Sequence, residues 1–233
     1  MVCSIIFMMN KSYSLPSSTR QMQCKILFVQ MPLFYQHTIN DATKIGVWHI
    51  AEPENFFLNK VPLSNIITHW HKRLQHLAGR YLLQELFPDF PYHLIEIADT
   101  RKPFLSNEEY HFSISHCGDY AAVIVSKNNR VGIDIELVKS KIKRIRYKFL
   151  NHHELDLYPL ADEKLLTLFW SAKEAVFKWY GNGEVDFKKH INIIQADITL
   201  DTGTIVCEFQ KEAKISLNIN YLFFGEMYLA VVI

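Results

Sequence analysis

Apolar and polar positions alternate from Thr43 to His49 (TKIGVWH), which predicts a strand with one buried face. The period then changes. Between Pro62 and Pro88, Leu74, Leu77, Ala78, Tyr81, Leu82 and Leu86 recur at helical spacing, and Pro88 ends the pattern. RKPFLSN (101–107) reads as a loop. HFSISH, YAAVIVS and RVGIDIEL follow as three strands joined by turns at CGD and KNN, a predicted meander. A second helical stripe runs through Leu165, Leu168, Phe169, Ala172, Ala175, Val176 and Trp179, with Gly181 as its stop. From Ile191 to Ile233 strands return, with turns near LDTG and GEM. HCGDYAAVIV (116–125) is echoed by FFGEMYLAVVI (223–233), each a glycine-acid turn leading into an apolar strand. The echo predicts two similar α+β halves meeting around Val131.

The strand VGIDIE breaks its own pattern. Asp134 and Glu136 fall on one face, where like charges repel. A positive group between them, or a wet face, would relieve that.

Composition narrows the classes. The 233 residues are 49% hydrophobic and 21% charged, which is ordinary for a globular chain. A formal net charge of +1 gives no global field toward nucleic acid or membrane. Cys3, Cys24, Cys117 and Cys207 are scattered, without a CxxC pair, so neither a disulfide framework nor a zinc knuckle is suggested and a cytoplasmic setting fits. No apolar run reaches membrane-spanning length. The apolar start VCSIIFMMN lacks the basic region and cleavage site of a signal peptide. Met31 opens the first stretch that reads as folded, so residues 1–30 are expected to be a poorly anchored extension, with translation starting at Met31.

Three stretches hold polar residues that folding alone does not explain: Ser115-His116, Asp134 with Glu136, and FWSAKEAVFK with Lys173, Glu174 and Lys178. Carboxylates from a strand and a helix, flanked by lysines, suit a hard cation sharing its shell with a phosphate. Each residue also has an ordinary reading. Asp134 and Glu136 fit a solvated strand face, Glu174 and Lys178 an exposed i,i+4 pair, and His116 a strand-end histidine. HWH (69–71) and HHE (152–154) lack ligand spacing and read as surface or packing residues. Phe169, Trp170 and Trp179 read as core. The six Lys and Arg residues between Lys139 and Lys148 form a solvated helix face, with a second use in steering an acidic partner.

In order, RKPFL, FSISH, VGIDIE and, about forty residues later, WSAKEAVFK resemble the four motifs of the Sfp-like 4′-phosphopantetheinyl transferases, over roughly Arg73 to Gly181. That resemblance implies an α+β fold of two similar halves related by a pseudo-twofold axis (31–130 and 131–233), with the site between them. It implies a monomeric, Mg²⁺-dependent enzyme with coenzyme A as donor and a serine of an apo acyl or peptidyl carrier protein as acceptor. Adenosine 3′,5′-bisphosphate is the implied leaving product. Carried over by position, Asp134, Glu136 and Glu174 match the metal-binding acids, and Glu174 is also a candidate base. Lys173 and Lys178 match the pyrophosphate-side lysines, and His116, beside Ser115, the histidine at the 3′-phosphate. Lys102 and Pro103 match the loop near the adenine, and Arg73 and Arg80 lie where the family carries basic residues. One departure is Arg101, where the family often has glycine before the lysine-proline pair. Two other classes share the same acids: a Mg²⁺-dependent phosphodiesterase, and a catalytically inactive module that binds coenzyme A or a carrier protein.

Overall fold

The computed structural model describes residues 33–61 and 67–233. The expectation for residues 1–30 lies outside them. Strands β1 (Leu33–Asn40) and β2 (Thr43–His49) form a hairpin. Helices α1 (Glu54–Leu58) and α2 (Trp70–Leu86) follow. Helix α2 opens at an N-cap, His69, and ends one residue before Pro88, at the Phe87 cap, so the sequence stop is where expected. Next come a short 3₁₀ turn (Tyr92–Leu94) and the two-stranded ribbon β3 (Ile95–Ile97) and β4 (Pro103–Leu105). RKPFLSN is therefore not all loop, because Pro103–Leu105 pairs with Ile95–Ile97. Strands β5 (His111–Cys117) and β6 (Tyr120–Ser126) complete a four-stranded antiparallel sheet ordered β1-β2-β6-β5.

The expected meander stops there. Strand β7 (Gly132–Leu137) leaves β6 and joins a second sheet. Helices α3 (Lys141–Phe149), α4 (His152–Leu157), α5 (Glu163–Tyr180) and α6 (Phe187–His190) come next. Strands β8 (Ile191–Ile198), β9 (Thr202–Gln210), β10 (Lys214–Phe224) and β11 (Met227–Val232) then complete a five-stranded sheet ordered β7-β11-β10-β9-β8. The echoing segments are both hairpins, β5–β6 and β10–β11. Their turns differ: Gly225 and Glu226 both take positive φ (49° and 64°), whereas in the first only Gly118 does (54°).

Side-chain alternation decides the layering. On β6, Ala121, Val123 and Val125 pack with α2, while Ala122 and Ile124 face the second sheet, so the strand is apolar on both sides. On β7, Ile133 and Ile135 enter that same inter-sheet core, and Asp134 and Glu136 point the other way, toward α5. The apolar stripe of α5 (Leu168, Phe169, Ala172, Ala175, Val176) packs on the other face of the second sheet. Gly132 lets the helix in: a Cβ there would lie 2.0 Å from the Ala175 carbonyl oxygen. The two sheets meet at β5 and β7 without a backbone ladder. Alternate side chains of β5 take the place of carbonyls: Ser113 Oγ, Ser115 Oγ and Cys117 Sγ accept the Ile133, Ile135 and Leu137 N–H groups at 3.2, 3.3 and 3.3 Å. The result is a mixed α+β fold whose β5–β7 seam sits beside α5.

Candidate active site

Asp134 is the centre of the seam. It is buried, and its Oδ1 accepts from Lys178 Nζ at 2.6 Å and from Ser115 Oγ at 2.8 Å, while Oδ2 accepts from Ser171 Oγ at 2.9 Å. Ser115 is saturated. Its hydroxyl donates to Asp134 and accepts from the Ile135 N–H and from Lys178 Nζ (2.8 Å). Glu136, two residues along β7, accepts the Trp170 indole N–H at 3.3 Å, and the Cys117 thiol lies 3.9 Å from its other oxygen. Burial and then the Asp134 charge push the Glu136 pKa up. Glu174, half-buried on α5, is pushed up to about 7 by burial and by Asp134, with Lys178 opposing. The opening puzzle of VGIDIE has a direct resolution: Asp134 turns toward a lysine and two hydroxyls, and Glu136 toward an indole N–H.

Two histidines and an arginine stand on the other side. Protein packing, followed by the charges of Lys178, His76 and Arg80, pushes the His116 pKa down to about 4. One edge of its ring remains open to solvent, so an anion can reach it and reverse that shift. His76 is likewise pushed down to about 4, by burial and by Arg80. Arg80 is buried, and burial lowers its pKa; among the described residues no hydrogen bond or ion pair reaches its guanidinium. Gly79, beside Arg80, allows α2 to close on β5, since a Cβ there would come within 2.8 Å of Ile114. His76 is a member that sequence reasoning missed. Its only signal is its spacing of four from Arg80 on one helix face.

Other expected residues are placed differently. Lys173 is not brought to the acids, which corrects its reading as a phosphate-side lysine. It is 0% exposed, and its ammonium lies 2.7 Å from Glu154 Oε1 and donates to the carbonyls of Phe149, Phe187 and Ile191. Adjacent helical positions point about 100° apart, so Glu174 faces the seam while Lys173 faces the core. The histidines of HHE are exposed, and Glu154 beside them is that buried partner and also completes the α4 capping box with Asn151. Arg73 is held by Glu54 in a two-point pair at 2.6 and 2.7 Å and donates to the Ile67 carbonyl. Lys102 donates to the Lys178 carbonyl at 2.6 Å, capping the end of α5, and Thr100 donates to the Gly181 carbonyl. Burial and then Arg130 push the Lys102 pKa down to about 8. Lys102 and Pro103 line a cavity of about 310 Å³ together with Phe104, His111, Arg130 and Trp179. Trp170 packs beside the core as expected, yet its N–H serves Glu136.

The acids offer only oxygen donors, and burial followed by the Asp134 charge raises the carboxyls of Glu136 and Glu174. That chemistry fits a hard divalent cation. Among the described residues, no group of three or more His, Cys, Asp or Glu is gathered closely enough to hold a metal as it stands. Lys178 supplies the positive charge at Asp134 instead.

Residues 130–231 match the profile of the 4′-phosphopantetheinyl transferase superfamily. The chain is 36% identical over 114 residues to enterobactin synthase component D of Escherichia coli (strain K12), covering 46% of this chain and 54% of that protein. It is 28% identical over 147 residues to 4′-phosphopantetheinyl transferase AcpT of Escherichia coli O157:H7, covering 60% and 72%. A putative 4′-phosphopantetheinyl transferase of Haemophilus influenzae is 30% identical over 142 residues, covering 57% and 60%. The alignment thus spans about half the length of the first of these relatives. The matched region, less than half of the chain, holds β7, α5 and the carboxylates on them, so the likeness to the superfamily falls on the elements that carry the acids of the seam.

Proposed function

We propose that this protein transfers the 4′-phosphopantetheine arm of coenzyme A to a serine of an apo acyl or peptidyl carrier protein. The observation that carries this reading is the division of one seam into two charge zones. Asp134, Glu136 and Glu174 lie on one side with Lys178 paired to Asp134, and Arg80 lies on the other with His76 and His116, two imidazoles that an anion would charge. A pyrophosphate ester needs both, a cation site for one set of oxygens and fixed positive groups for the rest. The relatives named 4′-phosphopantetheinyl transferase support the same chemistry. The halves 31–130 and 131–233 each supply part of the site, so a monomer suffices.

In this reading His116, His76 and Arg80 receive the 3′-phosphate end of coenzyme A, and the cavity beside Lys102 and Pro103 receives the adenine. Asp134, Glu136 and Glu174 would hold Mg²⁺, whose charge, when bound, polarises the pyrophosphate oxygens. The acceptor serine oxygen forms a bond to the phosphorus bearing the pantetheine. The phosphoanhydride bond breaks, and adenosine 3′,5′-bisphosphate leaves with the bond's electron pair. Glu174 takes the serine proton directly or through a water. Lys178 balances charge on the pyrophosphate. The basic face of α3 (Lys141, Lys143, Arg144, Lys148) steers the acidic carrier. No described helix is long and apolar enough to cross a membrane, and a cytoplasmic setting accords with the free thiols of Cys117 and Cys207.

Intact-mass spectrometry of an apo carrier protein incubated with this protein, coenzyme A and Mg²⁺ tests the proposal. A phosphopantetheine-sized gain that EDTA abolishes is expected. Release of the bisphosphate without carrier labelling would favour a phosphodiesterase, and coenzyme A binding without turnover a binding module.

A further inference from the structure

The ammonium of Lys178 stands on the carboxylate that the metal reading needs. Asp134 Oδ1 has two lone pairs, and both are taken, one by Lys178 Nζ at 2.6 Å and one by the Ser115 hydroxyl at 2.8 Å. Oδ2 accepts from Ser171 and keeps one lone pair, so a cation entering there would still sit beside the Lys178 ammonium. A divalent cation must come within about 2.1 Å of a carboxylate oxygen, closer than the lysine nitrogen now sits. Two positive charges cannot share so small a buried space without strong repulsion. The lysine is free to leave: its side chain is 24% exposed, and its backbone is fixed separately by α5 and by the Lys102 bond to its carbonyl.

We propose that Lys178 is the resident counter-ion of Asp134 and is displaced from it by the divalent cation. The metal-free site is held neutral and closed by this pair. Metal entry frees the ammonium, which then becomes available to an anionic ligand at the seam. The serines keep Asp134 aimed while the cations exchange, because Ser171 and Ser115 bind it from α5 and β5 independently of the lysine. This inference rests on the metal reading above, and its test separates the two.

The probe is Mn²⁺ alone, a divalent ion that accepts oxygen ligands. It is titrated into the full chain without coenzyme A, at pH 8, with bound ion read by electron paramagnetic resonance. Lys178→Met is expected to bind Mn²⁺ about tenfold more tightly than the wild type, and Lys178→Arg no more tightly than the wild type. Wild-type binding with an unchanged or weakened Lys178→Met site would overturn the inference and leave the metal reading standing. No binding to any of the three proteins would overturn both. A second readout needs no variant: amine acylation at Lys178, followed by peptide mass spectrometry, should speed up several-fold when Mn²⁺ is added. An unchanged or slower rate would overturn the exchange.

Discussion

Lys173 and Glu154 form an ion pair with no solvent contact, Nζ lying 2.7 Å from Oε1. The lysine also donates to backbone carbonyls near the ends of α3, α6 and β8, and Glu154 accepts the Asn151 and Ile193 N–H groups at 2.8 Å each. One charge pair, set on α4 and α5, therefore ties in α3, α6 and β8 as well. Lys173→Met leaves Glu154 charged and uncompensated, so it should cost about 3–5 kcal/mol in urea unfolding. The double variant Lys173→Met with Glu154→Leu should recover much of that loss. A single variant as stable as the wild type would contradict the pair's role.

Glu174 gives the metal-free protein a distinct pH dependence. Its carboxyl has an ordinary pKa of 4.5 and is raised to about 7 in the folded chain, mainly by burial. The native state therefore holds this proton more tightly than the unfolded state does. Below the ordinary value both states are protonated and the group contributes nothing. Stability should fall as pH rises from there through about 7. Glu174→Gln removes the titration, so with a chelator present it should be more stable than the wild type at pH 8 by about 2 kcal/mol. Equal pH profiles for the two proteins would show that Glu174 titrates normally.

Gly132→Ala should be destabilising without touching a polar group. The added Cβ would lie 2.0 Å from the Ala175 carbonyl and 2.7 Å from the Trp179 nitrogen, both backbone atoms of α5. The helix must shift outward, at a cost of about 3 kcal/mol or more. Lys178 and Ser171 ride on that helix, so the Asp134 contacts should loosen with it. The measure is the chemical-denaturation midpoint beside the acylation rate of Lys178. A fully stable variant with unaltered labelling would refute the close packing.

Arg101 occupies the left-handed region with φ of 66°, immediately before Lys102 and Pro103. Its N–H closes a turn onto the Ala98 carbonyl at 2.8 Å. A side chain there costs about 1–2 kcal/mol that glycine does not incur, partly offset by the greater freedom of glycine in the unfolded chain. Arg101→Gly should therefore raise stability by about 0.5 kcal/mol, read from the thermal midpoint. The departure from glycine at this position is a backbone matter, because the turn tolerates arginine at a modest cost. A destabilised Arg101→Gly would mean that the guanidinium has a stabilising partner.

Local pattern was enough to find the chief elements and the charged residues of the β5–β7 seam. The strand at Thr43–His49, the helix ending before Pro88 and the α5 stripe stopping at Gly181 depend on periodicity and caps, which are properties of neighbouring residues. Asp134, Glu136, Glu174 and Lys178 were legible because charge inside an apolar run conflicts with folding unless something compensates it. Strand β1 was not legible. Its burial alternates only weakly along an outer edge strand, so the chain gives little contrast to read.

Three matters were decided by the tertiary structure. Strand β7 leaves the meander because partners in a sheet are chosen by distant strands, here β11, which lies about 90 residues further along the chain. Lys173 and Glu174 are neighbours in sequence, but the helix turns one into the core and the other to the seam, and only packing decides which face is which. His76, Ser171 and Trp170 join the site through contacts with β5 and β7 that no spacing encodes. The sequence by itself determined which runs make helix or strand and which charged residues stand in apolar surroundings, since both follow from side-chain type and local period. Which charges meet, and which are spent on holding the fold, was settled by how the two sheets and α5 close on one another.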